Sequence, residues 1–161
     1  MSTMVKVGMA DLKVVSYPDS LTTLGLGSCI GICLYDPVTR VTGMAHIMLP
    51  NSMAIKKNES AAKFADTAIH KLIADMEAKG GKRARFFAKI AGGAQMFSFA
   101  SQNDSMKIGE RNAEAVRSIL KSFSIPIKAD ETGGNFGRTI EFYSENGKLL
   151  IKTAGSPVKE V

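Results

Sequence analysis

The sequence predicts a single α+β domain spanning residues 1–161, in which two amphipathic helices pack on a largely antiparallel sheet system. Short apolar runs separated by Pro, Asp, Ser and Gly fill the first third of the chain, as is typical of strands joined by turns. Further along, two stretches repeat apolar residues at helical spacing. A chain of this length can bury about 70% of the surface that it exposes when unfolded, which suits one core.

The apolar runs predict the strands. In the first third of the chain they cover residues 12–15, 21–26, 29–35 and 41–48, which should form hairpins or a meander. Later strands are predicted at residues 85–91, 127–129, 139–143 and 149–153, with a turn at Asn146-Gly147 between the last two. A loop should follow the first of these later strands, to about residue 106, and the tail from Gly155 is expected to be loose.

The helices follow from apolar residues at i, i+3, i+4 and i+7 spacing. The first such pattern runs from Phe64 to Met76, with Ser60 as a candidate N-cap and Gly80-Gly81 as a stop. The second covers residues 108–123. It should end before Pro126, because the residue that precedes a proline disfavours the helical conformation.

The composition indicates a cytoplasmic protein without membrane insertion. No apolar run approaches the roughly 20 residues that a membrane-spanning helix needs. The net charge of +6 fits a nucleic-acid binder, a surface for an anionic partner, or a merely soluble protein. The densest basic stretch, residues 79–85, contains no aromatic residue for base stacking, so we interpret it as a solvated loop and expect no nucleic-acid partner.

The two cysteines, Cys29 and Cys33, are predicted to be free thiols. They are too few for a disulfide framework or for a site of four thiolates. In a strand their Cα atoms would lie about 13 Å apart, which is beyond the reach of a disulfide. No metal or cofactor is predicted.

Cys29 is the candidate nucleophile, because it follows Gly25 and Gly27, and a glycine bend can expose a side chain and turn amide N–H groups toward a reacting carbonyl. The simpler alternative is a small buried core residue. The turn beginning at Asp36 predicts its partner: a two-residue hairpin that pairs Asp36 with Thr39 places Cys29 opposite His46. A loop longer by one residue would send them to opposite faces, and by two would leave them diagonal neighbours.

A thiol beside an imidazole is the minimal apparatus of an amidase. The imidazolium stabilises the thiolate and later gives a proton to the leaving group. The other candidates, Cys33 and His70, are interpreted as structural. The pairs Gly92-Gly93 and Gly133-Gly134 lack the spacing of a phosphate loop and are interpreted as tight turns beside the cleft.

Longer segments around these residues resemble the chemoreceptor glutamine deamidase (CheD) family. They are residues 23–29, Thr-Leu-Gly-Leu-Gly-Ser-Cys, and residues 44–50, Met-Ala-His-Ile-Met-Leu-Pro. Further blocks that resemble the family follow in order at residues 63–68, 89–97, 108–112 and 132–138. The resemblance covers residues 5–153, and several blocks in order are far more specific than one cysteine and one histidine.

The resemblance implies an α/β/β layered sandwich similar to the fold of bacterial toxins that deamidate glutamine. It also implies that Cys29, His46 and Thr23 are catalytic. From the residues alone, Thr22 could offer a hydroxyl equally well. Extended chain would place Thr23 about 20 Å from Cys29, so a bend at residues 25–27 must bring it back.

The function implied by the resemblance is that of a protein-glutamine glutaminase. Such an enzyme deamidates glutamine side chains of methyl-accepting chemotaxis receptors to glutamate through a thioester on Cys29 and releases ammonia. The implied partners are the receptor cytoplasmic helices, as substrate, and CheC, a phosphatase of CheY-phosphate. An alternative from another class is a non-catalytic binding module that docks on receptor helices or on CheC.

Overall fold

The computed structural model describes residues 1–52, 60–96 and 107–161 of the chain. Within these ranges the helices are α1 (Ala65–Ala78) and α2 (Ile108–Ser122), with short 3₁₀ helices at Ala61–Lys63 and Arg83–Arg85. The strands are β1 (Met4–Lys6), β2 (Asp11–Ser16), β3 (Ser20–Leu26), β4 (Ile30–Tyr35), β5 (Val41–Ile47), β6 (Phe87–Gly92), β7 (Ile127–Thr132), β8 (Arg138–Phe142), β9 (Leu149–Lys152) and β10 (Lys159–Glu160). Most of the loop predicted up to residue 106 lies outside the described residues.

The strands form two five-stranded sheets. One has the order β1-β3-β8-β9-β10 and the other the order β2-β5-β4-β6-β7. Pairing is antiparallel except between β1 and β3 and between β6 and β7. The predicted, largely antiparallel sheet system is therefore confirmed, with one parallel pair in each sheet.

The two sheets and the helices form three layers, which confirms the α/β/β sandwich. Both helices pack on one face of the sheet that contains β4, and the second sheet covers its other face. Strand β4 is buried on both faces: Ile32 points toward the helices, whereas Cys33 and Tyr35 point toward the second sheet. The second sheet contributes Leu21, Ile140 and Phe142 to this inner core.

Capping explains where α1 begins and ends. Ser60 caps the preceding 3₁₀ turn through a hydrogen bond from Ala62 N to its Oγ (3.2 Å), and α1 starts only after Phe64. At the other end Gly81 N donates to Met76 O (3.0 Å), and Gly80 adopts a positive φ of 101° that favours glycine. No helix in the described ranges is both long enough and apolar enough to cross a membrane.

The hairpin between β4 and β5 has a longer loop than the sequence analysis predicted. The prediction of a two-residue turn at Pro37-Val38 is therefore wrong. Tyr35 pairs with Thr42, and Asp36 N donates to Val41 O (3.0 Å). The register is therefore shifted by two residues, and His46 lies opposite Gly31 instead of opposite Cys29. A shift of two preserves the face of the sheet, which leaves Cys29 on the same side as His46.

The Asp36 carboxylate accounts for the longer loop. It accepts hydrogen bonds from the N–H groups of Val38 (2.9 Å) and Thr39 (3.3 Å) within the loop. Lys82 N (3.0 Å) and the Arg85 guanidinium (2.9 Å) also donate to it. Burial alone would raise the pKa of Asp36, but these donors, with Arg85 foremost, lower it well below its usual range.

The end of the chain is ordered by pairing, so the expectation of a loose tail from Gly155 is wrong. Strand β10 runs antiparallel to β9 at the edge of its sheet. Val161 exchanges two backbone hydrogen bonds of 2.9 Å with Leu149, and its carbonyl oxygen accepts a further one from Lys89 Nζ (2.9 Å). Backbone hydrogen bonds therefore order a segment whose side chains carry little apolar pattern.

We expect Asp36→Asn to lower the free energy of unfolding by about 1–2 kcal/mol at neutral pH, because it removes the buried charge that pairs with the partly exposed Arg85 and keeps the side chain's size. The folded-state pKa of Asp36 lies below its unfolded value, so this stability is present above the unfolded pKa and is lost as the pH falls. Denaturant unfolding from neutral to acidic pH checks both points. The exposed pair of Lys71 and Asp75 provides the control, since Asp75→Asn should cost less than about 0.5 kcal/mol. Equal losses in the two variants would contradict the role given to Asp36.

Candidate active site

His46 and Thr23 meet in the space between the two sheets. His46 lies on β5 with its side chain turned away from the helices and is 1% exposed, and Thr23 lies on β3 of the opposite sheet and is fully buried. Thr23 Oγ1 is 2.7 Å from His46 Nδ1, which is the distance of a good hydrogen bond. The structure thus brings together two of the three site residues that the sequence predicted.

The direction of this hydrogen bond follows from the second bond that Thr23 makes. Thr23 Oγ1 donates its single hydrogen to Val7 O at 2.7 Å. Toward His46 the hydroxyl must therefore act as an acceptor, so in the neutral imidazole the hydrogen resides on Nδ1. Nε2 then carries a lone pair, and this buried atom has no hydrogen-bond partner among the described residues. In this tautomer Nε2 is the ring nitrogen that could accept a proton.

The residues alone left Thr22 and Thr23 open as partners of His46, and it is the hydroxyl of Thr23 that hydrogen-bonds the imidazole. The hydroxyl of Thr22 donates to Ile140 O (2.7 Å) and does not contact His46. Beyond Thr23 the ladder shifts, because Thr23 pairs with Ile140 but Leu26 pairs with Arg138. This bulge, with Gly25 at a φ of 72°, supplies the bend that the sequence required.

Cys29 lies where the chain passes from β3 in one sheet to β4 in the other. It is 8% exposed and contributes to the core between the sheets. It comes two residues before Gly31, the residue opposite His46, so strand alternation places its side chain on the same face of the sheet as the imidazole. Gly31 itself leaves room there: a Cβ at this position would lie 2.6 Å from Ile140 Cδ1.

The backbone around Cys29 is held by hydrogen bonds to its carbonyl groups. Gly27 O accepts from Ala94 N (2.9 Å), and Cys29 O accepts from Gly93 N (2.8 Å). Ser28 O accepts from the side-chain Nδ2 of Asn112 (2.9 Å). The sequence analysis did not select Asn112 as a candidate site residue. A polar residue on the apolar stripe of α2 could have indicated it, because such a residue is buried and needs a hydrogen-bond partner.

The two glycine pairs form tight turns beside the segment that carries Cys29, as predicted. All four of these glycines have a positive φ. Gly133 N donates to Gly92 O (3.0 Å), which joins the two turns. A Cβ on Gly92 would collide with the carbonyl oxygen of Cys29, so this approach requires glycine.

Burial disfavours the charged forms of the Cys29 thiol and the His46 imidazole. It raises the pKa of the Cys29 thiol, an effect that a hydrogen bond from the residue's own backbone N–H partly offsets. Burial also lowers the pKa of His46. Burial therefore disfavours the thiolate–imidazolium pair that the sequence analysis associated with an amidase, and it favours the neutral form of each group.

The remaining candidates occupy structural positions. Cys33 is fully buried between the sheets, which strongly raises the pKa of its thiol. His70 lies on the exposed side of α1, with its ring 6.1 Å from that of Phe123. No group of three His, Cys, Asp or Glu side chains converges within the part of the chain that the structure describes as a metal site would require.

Comparison with known proteins identifies a family and close relatives. A family model described as CheD chemotactic sensory transduction matches residues 48–153. A protein of Lachnoclostridium phytofermentans named probable chemoreceptor glutamine deamidase CheD is 56% identical over 161 residues, which covers 100% of both chains. A protein of Halalkalibacterium halodurans named chemoreceptor glutamine deamidase CheD is 56% identical over 162 residues, again over 100% of both. A relative from Caldanaerobacter subterraneus with the same probable name is 55% identical over 160 residues, 99% of each chain.

We expect iodoacetamide to modify Cys29 in the folded protein at least about 100-fold faster than Cys33, because Cys33 is accessible only after unfolding. The rate at Cys29 should continue to rise above neutral pH, since burial raises the pKa of its thiol and the thiolate is the reactive form. Mass spectrometry of the two cysteine peptides measures both rates. In denaturant the rates should become similar, which is the control. Equal native rates would show that the burial difference does not exist in solution.

Proposed function

Since this chain belongs to the CheD family, we propose that it is a chemoreceptor glutamine deamidase with Cys29 as nucleophile, His46 as acid and base, and Thr23 as the residue that orients His46. The observation that carries this proposal is the Thr23–His46 hydrogen bond, which leaves an unpartnered Nε2 on the face of the sheet that Cys29 shares. Identity of 56% over the full length of a protein named as such a deamidase supports the reaction.

The first step in this proposal is proton transfer within the neutral pair. His46 Nε2 takes the proton of the Cys29 thiol as the sulfur attacks the carbon of the glutamine carboxamide. A C–S bond forms, and the carbonyl π electrons move to the oxygen. Thr23 Oγ1 accepts a hydrogen bond from Nδ1–H in every step and so stabilises the imidazolium.

The second half releases ammonia and then glutamate. Imidazolium Nε2–H gives its proton to the amide nitrogen, the C–N bond breaks and a thioester remains on Cys29. The neutral imidazole then takes a proton from water, whose oxygen attacks the thioester. The C–S bond breaks and the proton returns to sulfur, so the net reaction converts glutamine and water to glutamate and ammonia without any consumed group on the enzyme.

The substrate in this proposal is a glutamine on the surface of a receptor helix. Receptor cytoplasmic regions are long coiled coils, so the target side chains are presented one at a time from a rigid surface. Binding energy from the surrounding helix would position the carboxamide against Cys29. Docking on CheC and a cytoplasmic location stay predictions, as does the role of a binding module.

We expect Cys29→Ala and His46→Ala each to lower deamidation of a receptor fragment by at least about 1,000-fold, because each removes a reacting group. Mass spectrometry of the target peptides, which detects the change from carboxamide to carboxylate, is the measurement. Cys33→Ala should retain most of the activity. An active Cys29→Ala with an inactive Cys33→Ala would assign the nucleophile to the other thiol.

The adjacent threonines provide a matched pair of variants. Thr23→Val removes the acceptor of His46 Nδ1 and should lower kcat by about 100-fold, whereas Thr22→Val removes a hydroxyl of the same strand that bonds only Ile140 O. The latter should change kcat less than about threefold. Thr23→Ser, which keeps the hydroxyl, should recover most of the loss. Equal effects of the two valine variants would remove Thr23 from the mechanism.

Substrate length separates a receptor deamidase from a general glutaminase. Ammonia release is compared for free glutamine, a short unstructured peptide and a folded helical receptor fragment at equal glutamine concentration. The folded fragment should have a kcat/KM at least about 100-fold higher, because only it supplies binding energy away from the carboxamide. Comparable values for all three would contradict the receptor-specific role, and binding without any release of ammonia would favour the binding module.

A further inference from the structure

Three successive carbonyl groups of the nucleophile segment, residues 27–29, are held by donors from outside it. Two of these donors are backbone N–H groups, those of Ala94 and Gly93. The middle carbonyl, that of Ser28, is held by the Asn112 side chain at 2.9 Å. Within the described residues, Asn112 is thus the anchor of this segment that a substitution can remove.

The anchored carbonyl determines where the next N–H group points. In a planar trans peptide the C=O and N–H bonds point in opposite directions. Because Asn112 holds the Ser28 oxygen against α2, the N–H of Cys29, which belongs to the same peptide unit, is directed away from α2. No backbone carbonyl among the described residues accepts a hydrogen bond from the N–H groups of Ser28 and Cys29, and the N–H of Cys29 lies within reach of its own sulfur. The N–H of Gly27, in contrast, donates to Gly25 O (3.1 Å).

The same amide also reaches the strand that carries the base. Asn112 Nδ2 donates to Met48 O at 3.0 Å, two residues beyond His46. One side chain therefore links the nucleophile segment to the end of β5. The close approach of α2 is possible because Gly109, one turn before Asn112, lacks a Cβ that would collide with Ala94 O.

Stability alone does not explain Asn112. The residue is fully buried on the apolar stripe of α2, and its Oδ1 has no hydrogen-bond partner among the described residues. A buried acceptor without a partner costs free energy, which offsets part of what the two hydrogen bonds to Ser28 O and Met48 O contribute to stability. A function of its two N–H donors is the more economical account.

We propose that Asn112 is a positioning residue for the deamidation reaction, which holds the Ser28–Cys29 peptide so that the Cys29 N–H is directed at the oxyanion of the tetrahedral intermediate. This inference rests on the proposed function. Asn112 does not touch the substrate: it acts through the backbone of Cys29. A preorganised N–H donor stabilises the negative charge where it develops and requires no rearrangement during the reaction.

The test compares the kinetics of Asn112→Ala with those of the unmodified protein on a folded receptor fragment. Removal of the anchor should lower kcat by about 100-fold and change KM less than about threefold, because the lost interaction acts only in the transition state. The rate at which iodoacetamide alkylates Cys29 should change less than about threefold, since that displacement forms no oxyanion.

Val116→Ala is the matched control. Val116 is fully buried on the same helix, four residues later, and has no hydrogen bond to the nucleophile segment. It should lower the thermal stability of the protein and leave kcat unchanged below the melting temperature. This separates loss of the anchor from general loosening of α2.

Each kinetic result for the Asn112 variants either supports or overturns the positioning role of Asn112. A kcat for Asn112→Ala within about threefold of the unmodified protein would overturn the inference. A parallel loss of kcat and alkylation rate would also overturn it, because it would place the effect on the thiol. If Asn112→Ala does not fold, Asn112→Ser replaces it: its shorter side chain cannot hold both carbonyls, so an unchanged kcat would again refute the proposal. No deamidation by the unmodified protein would refute the proposed function itself, whereas an active protein with an equally active Asn112→Ala would refute this inference alone.

Discussion

The hydrogen bond from His46 to Thr23 joins the two sheets, and the arrangement of the candidate site depends on it. Its length of 2.7 Å requires β3 of one sheet and β5 of the other to pack at one spacing and in one register. Because the threonine hydrogen is already committed to Val7 O, the bond has a single direction. A backbone carbonyl in the segment after β1 thereby determines which imidazole nitrogen is left to act as a base.

Burial gives this site a neutral resting form. Both a thiolate and an imidazolium lose solvation between the sheets, so the pKa of Cys29 is raised and that of His46 is lowered. Opposite charges that form together, through transfer of one proton, keep the net charge of the site constant. In the proposed mechanism the thiol would therefore be activated in contact with substrate, whereas a permanently ionised cysteine would be more open to oxidation.

Local sequence patterns predicted most helices and strands. The β4–β5 loop and strand β10 were not predicted, because both depend on contacts between residues that are distant in sequence. Helix α1 was predicted correctly because its apolar residues recur at helical spacing, which marks the face that is buried. The prediction that Cys29 and His46 share one face of the sheet held although the turn was wrong, because side chains alternate along a strand with a period of two. The loop length was missed because Asp36 is held by Arg85 and Lys82, which lie far along the chain. Strand β10 was missed because it depends on backbone pairing with β9.

The sequence by itself determined the class of fold and the membership of a deamidase family, and it singled out Cys29 and His46 as the candidate nucleophile and base, since motif, spacing and periodicity are local properties. Only the tertiary structure decided between Thr22 and Thr23, because that choice depends on which face of β3 meets the second sheet. It alone brought Val7 and Asn112 to the site. Hydrogen bonds between residues distant in sequence produce no periodic pattern in the sequence, so their partners can be identified only from the packed layers.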